Sequence, residues 1–202
     1  RSIGYGAFQK CFGLENISLP DSVVKLGGRC FASCTNLTEL SLGSGIEELP
    51  GGIFKECSSL RIVKLGANIT ALGDEAFLNC TQLREISLPD KTLFLASSVF
   101  EGCTALKEIA FGNNLQSIGD NAFRGCESLE KMTLPHTLIN LGKEAFTDCS
   151  TLSRVNFKGN TPVVAFMQMP QSPSSPVKVF SEPYPTLYYL EGTAGWTGEY
   201  YT

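Results

Sequence analysis

The sequence predicts an α/β solenoid. It should be a right-handed coil with a parallel β-sheet on the concave side, short helices on the convex side and an irregular C-terminal cap. Three columns of residues predict it. Cys11, Cys34, Cys57, Cys80, Cys103, Cys126 and Cys149 are each 23 residues apart. A Phe stands three residues before each: Phe8, Phe31, Phe54, Phe77, Phe100, Phe123 and Phe146. A Leu stands three residues after each: Leu14, Leu37, Leu60, Leu83, Leu106, Leu129 and Leu152. Seven copies without insertion or deletion define a fixed period. Such a unit cannot bury its apolar face alone, and stacking turns the columns into continuous internal ladders.

The copy from Gly73 to Leu95 shows how each part arises. Asp74 is placed to cap a short helix, as are Ser97 and Asp120 in other copies. Ala76, Phe77 and Cys80 then share one helical face, while the residues between vary freely and face water. Thr81 to Leu83 turn the chain. Ile86 and Leu88 alternate with Glu85 and Ser87, a period of two that marks a short strand with one buried face. Pro89 ends it, as Gly43, Gly66, Gly112 and Pro135 end the others, because Pro lacks an N–H and Gly relaxes φ. Val23, Ile46, Ile69, Leu115 and Leu138 add one more core position. Leu26, Leu49, Leu72, Leu95, Ile118 and Leu141 close the coil. One copy departs from the pattern: Ala96 replaces the usual Gly and Thr92-Leu93 shifts an apolar residue by one, so a local irregularity is expected there.

An apolar fraction of 43%, mean hydropathy of +0.04 and net charge of −4 suit a folded chain. The acidic balance argues against nucleic acid as a partner, since phosphate binding leaves a basic footprint. No apolar run approaches the ~20 residues of a membrane helix. The first copy opens in mid-unit, with Ile3, Gly4, Ala7 and Phe8 already in repeat columns, so the chain is expected to be a piece of something longer. The cysteine column is expected to be buried and reduced, with Cys30 a slightly larger Ala in the column of Ala7, Ile53, Ala76, Val99, Ala122 and Ala145.

The pattern L-x-x-I-x-L-P-x-x-(L/I)-x-x-(I/L)-G-x-x-A-F-x-x-C, as in LREISLPD and GDNAFRGC, resembles the BspA-like leucine-rich repeat, a class of surface protein with units of this length. The resemblance covers Ile3 to Phe157. It implies a leucine-rich-repeat coil, extracellular or cell-surface placement, and binding to proteins, often host or matrix components, in an adhesin-like role.

Two segments follow from this: a repeat array over residues 1–157 and a capping segment over residues 158–202. In the latter, Thr161 stands where an aliphatic residue should, and Gln168 to Pro176 is a Pro/Ser-rich loop. Tyr188, Leu190 and Trp196 supply apolar surface to cover the open end of the ladders.

Catalysis needs convergent titratable groups, and the chain has one His, His136, in a turn. The Cys column lacks metal-ligand spacing. No enzyme, cofactor or metal site is expected, and the chain is read as a monomer. The exposed strand face is the one surface with ordered chemistry. Its first column reads Asn16, Glu39, Ile62, Glu85, Glu108, Lys131, Arg154, and its second Ser18, Ser41, Lys64, Ser87, Ala110, Thr133, Asn156. The candidate partner-binding residues are Glu39, Ser41, Lys64, Glu85, Ser87, Glu108, Lys131, Thr133, Arg154 and Asn156. The alternative is a spacer or accessory domain of a larger surface protein, with no ligand of its own.

Overall fold

The computed structural model describes residues 1–160, 162–164, 179–189 and 193–194. Its strands form two interleaved series. The broad series is β2 (Asn16–Leu19), β4 (Glu39–Leu42), β6 (Ile62–Lys64), β8 (Glu85–Ser87), β10 (Glu108–Ala110), β12 (Lys131–Leu134), β14 (Arg154–Phe157) and β16 (Thr186–Tyr189). The narrow series of two-residue strands is β1 (Ser2–Ile3), β3 (Lys25–Leu26), β5 (Glu48–Leu49), β7 (Ala71–Leu72), β9 (Phe94–Leu95), β11 (Ser117–Ile118), β13 (Asn140–Leu141) and β15 (Val163–Val164). All pairing is parallel. Up to β14 and β15 each residue faces the one 23 positions away. The narrow strands run unbroken from β5 to β15, while the broad series pairs as β2–β4–β6, β8–β10 and β12–β14–β16.

The short helices expected on the third side are absent among the described residues. Successive Phe rings from Phe8 to Phe146 stack with centroids 5.3–5.7 Å apart. That spacing is half the ~10 Å breadth of an α-helix, so helices could not stack here without splaying the rings. A single helical turn is also a poor bargain, because nucleation fixes several residues for one hydrogen bond. The chain instead alternates its N–H groups. Ala76, Leu78 and Cys80 donate within the coil to Gly73, Glu75 and Phe77, and Glu75, Phe77 and Asn79 donate to Ser97, Val99 and Glu101 of the next coil. Two residues per coil enter the left-handed region to allow this. One column is Gly6, Arg29, Gly52, Glu75, Ser98, Asn121 and Glu144; the other is Lys10, Ser33, Glu56, Asn79, Gly102, Gly125 and Asp148.

Asp74 and Asp120 do not cap a helix of their own. The Oδ1 of Asp74 accepts the N–H of Ser97 at 3.0 Å, and that of Asp120 accepts the N–H of Lys143 at 2.7 Å, so each caps the following coil. Nor does the coil at Thr92 break register: β9 pairs with β7 and β11 like its neighbours. Thr92 takes the aliphatic position, wholly buried, and satisfies its hydroxyl by donating to the Ile69 carbonyl at 3.0 Å.

The core is one continuous cluster of Phe, Cys, Leu and Ile ladders. Six of the seven columnar cysteines are buried; Cys11 is exposed, as is Phe8, because both lie in the first coil with neighbours on one side only. At the other end the ladders continue past Phe157. β15 joins β13, the Phe146 N–H donates to the Val179 carbonyl at 2.8 Å, and Phe180 stacks on Phe146 at 5.4 Å. β16 then pairs with β14, placing Thr186 beside Arg154 and Tyr188 beside Asn156. The described part of the C-terminal segment is thus an eighth coil of longer contour. Val179 follows Ala145 by 34 residues rather than 23. Thr161, the loop from Gln168 to Pro176, Leu190 and Trp196 lie outside the described residues.

Candidate partner-binding face

Alternation along each broad strand sends Ile17, Leu40, Ile86, Ile109, Met132 and Val155 inward and leaves the intervening side chains outside. The ladders divide the candidate residues into three groups. Glu39 faces Asn16 and Ile62, and Ser41 faces Ser18 and Lys64. Glu85 faces Glu108, and Ser87 faces Ala110. Lys131 faces Arg154, and Thr133 faces Asn156. The coils stay stacked between the groups because the narrow sheet and the Phe column run through. All ten candidates lie on this face; Ser41 and Asn156 are half-buried and the other eight exposed.

The ion pairs found among the described residues lie on the turn side: Lys55–Glu75 at 2.8 Å, Arg124 with Asp148 at 3.4 Å and Glu144 at 4.0 Å, and Lys143–Glu144 at 3.6 Å. Among the described residues the broad face carries none, and its charged side chains are exposed. Its side-chain contacts lie at its two ends: near the N-terminal end Thr38 Oγ1 donates to Asn16 Oδ1 at 3.4 Å. At the C-terminal end Asn156 Nδ2 donates to Thr133 Oγ1 at 3.3 Å, and Arg154 Nη2 to the Tyr188 hydroxyl at 3.1 Å. The Arg154 guanidinium carbon sits 4.3 Å from the Tyr188 ring centroid. Tyr188, which the sequence assigns to the cap with a ligand site around Trp196 and the Tyr cluster as the alternative, stands on this face beside Asn156. It follows Asn156 by 32 residues, off the period. The usable signal was local: the outward Thr186 and Tyr188 alternate with Leu187, whose register partner Val155 is a core residue.

From Cys34 onward the thiol column is shut away from solvent. From Cys34 to Cys149, each columnar Sγ donates to the carbonyl of the Phe 26 residues earlier, at 3.1–3.3 Å. Burial pushes the thiols of Cys30, Cys57, Cys103 and Cys149 from 9.0 up to about 12, and raises those of Cys34, Cys80 and Cys126 as well. Among the described residues no three His, Cys, Asp or Glu side chains gather as a metal site, and no helix is long and apolar enough to cross a membrane.

Solved structures with the same fold come from bacteria. A leucine-rich cell surface protein of Faecalibacterium prausnitzii superposes with a TM-score of 0.72 at 24% identity, covering 78% of this chain and 43% of that one. The T. pallidum leucine-rich repeat protein gives 0.56 at 26% identity, covering 81% of this chain and 65% of its own. A leucine-rich repeat protein of Bacteroides ovatus gives 0.59 at 24% identity, covering 81% and 54%. The chain thus spans from under half to about two thirds of the length of these proteins. No curated protein matches the sequence. The BspA-type leucine-rich repeat region matches in six copies over residues 1–103 and 81–167. With the 23-residue register of its strands, this makes the chain a member of the BspA-type leucine-rich repeat family.

Proposed function

We propose that this chain is a non-catalytic protein-binding module of a secreted or cell-surface protein, adhesin-like, and that it engages its partner through the outward face of the broad strands. The observation that carries this reading is the state of that face. Its charged side chains are exposed and, among the described residues, form no ion pair, whereas the turn side joins six of its charged side chains into ion pairs. An in-register sheet presents them at fixed spacing, and solenoids commonly use such extended surfaces for binding. The family and the cell-surface protein of Faecalibacterium prausnitzii support display outside the cell.

The test is a binding screen of the immobilised chain against purified extracellular-matrix proteins, repeated with Glu85→Lys/Glu108→Lys and with Glu127→Lys as an off-face control. A partner lost with the first variant and kept with the second supports the reading. Binding that depends on the turn side, or none across the panel, counts against it and favours a spacer.

A further inference from the structure

We infer that the basic, aromatic end of this face, built by Lys131, Arg154 and Tyr188, is the anchor of the interface and receives an acidic segment of the protein partner. The inference rests on the reading above and assigns the chemistry of one part of it. Lys131 and Arg154 face each other on β12 and β14, and Tyr188 stands on β16, one strand on. Adjacent strands lie about 4.8 Å apart, so the two cations share a patch that one carboxylate, or two neighbouring ones, can span. Neither has a carboxylate partner among the described residues.

Arg154 is also held before any partner arrives. Its guanidinium lies 4.3 Å from the Tyr188 ring centroid and donates to the Tyr188 hydroxyl at 3.1 Å. A guanidinium has five N–H donors in a planar fork, and the bond to tyrosine uses one of them. Fixing the fork in advance removes part of the ordering cost of binding. Tyr188 stays 43% exposed, so its ring is still open to contact. Tyr and Arg are the residues in which binding energy concentrates at protein interfaces. Glu85 and Glu108, farther along the face, would repel an acidic segment that slid toward them, which fixes where it sits.

The experiment measures fluorescence anisotropy of a labelled decaglutamate peptide with the intact chain at low salt. Lys131→Gln/Arg154→Gln should weaken binding at least tenfold. Lys25→Gln/Lys91→Gln, which removes the same net charge elsewhere, should change it less than twofold. Arg154→Lys, which keeps the charge and loses the fork, should cost several-fold, and Tyr188→Ala about threefold. Thermal melts confirm that each variant is folded. Equal losses from the two double variants would overturn the anchor, as would a labelled heparin decasaccharide binding the same residues more tightly than the peptide. If a matrix partner is lost on Glu85→Lys/Glu108→Lys but untouched by Lys131→Gln/Arg154→Gln, the anchor fails and the binding face stands. A partner indifferent to both removes the face itself.

Discussion

Cys103 donates its S–H to the carbonyl of Phe77 at 3.2 Å, 26 residues earlier and one coil below. The same bond recurs from Cys34 to Cys149, tying the cysteine column to the Phe column. It explains why Cys suits this position. The site needs a small apolar group that can also offer a weak donor to a buried carbonyl. Titration of the native chain with a bulky aromatic disulfide should therefore show one fast thiol, Cys11, and seven slow ones, with all eight reacting on unfolding. Cys11→Ser should abolish the fast phase; more than two fast thiols would contradict the buried column.

The raised thiols also set an alkaline limit. A folded thiol at about 12 against 9.0 unfolded means that the native state holds the proton longer between those values. The contribution of Cys103 is thus fully present below pH 9 and is lost as pH rises toward 12, at up to about 1.4 kcal/mol per unit. Urea unfolding under reducing conditions at pH 8, 9 and 10 should show stability falling, and Cys103→Ala should flatten the slope by roughly one proton. An unchanged slope would show that this thiol is not coupled to folding.

Phe100 lies mid-stack, wholly buried, with rings 5.4 Å away on both sides. Phe100→Ala should cost about 3–5 kcal/mol and broaden unfolding, since the flanking coils lose the rung they share. A loss under ~1 kcal/mol would mean that the ring column is not the spine of the array.

Asn121 sits at φ +55° with its Oδ1 buried and without a protein hydrogen bond. Gly6 and Gly52 hold the same column. Asn121→Gly removes both the left-handed strain and the unsatisfied oxygen, so it should stabilise by roughly 1 kcal/mol despite the entropy of glycine. A lower urea midpoint would show that the side chain contributes packing that outweighs both.

Glu85 and Glu108 are direct register partners, and like charges so placed repel. Glu85→Lys/Glu108→Lys keeps the two charges alike, so the thermal midpoint should hardly move. Association with a matrix partner that sets a basic patch against these two carboxylates, beside its acidic segment, should slow, more at low salt than high. Glu127, exposed in the turn that leads into β12 and outside the ion pairs of the described residues, serves as the off-face control.

The period made the register of every strand through Phe157 legible, and with it the exposed columns, because stacking places residues one unit apart side by side. The helix expected from Ala76, Phe77 and Cys80 was an error of pitch. The spacing of those residues fits one face of a helix, but it is also met by a turn that visits left-handed φ twice. Only the ring spacing decides between them, and no single unit displays that. The reach of the array past Phe157 was hidden for a different reason. Phe180 and Tyr188 satisfy the ladders in space while violating the count in sequence, because the eighth coil takes a longer path between its rungs.

The direction of the turn-side hydrogen bonds has an electrical consequence. In every coil the bonds of the Phe31, Phe54 or Phe77 type run from an N–H to a carbonyl of the following coil, never the reverse. Each peptide unit carries a dipole of about 3.5 D. A helix at this place would have pointed those dipoles along its own short axis, crosswise to the array. Opened out, they add head to tail along the stack, with the positive pole toward Phe180. On the strand side the bonds run both ways, as with the Thr38 N–H to the Glu15 carbonyl and the Leu88 N–H to the Ala110 carbonyl, so their dipoles largely cancel there. The polarity of the array is therefore concentrated on its turn side, where an anion would be drawn toward the Phe180 end before it touched any side chain.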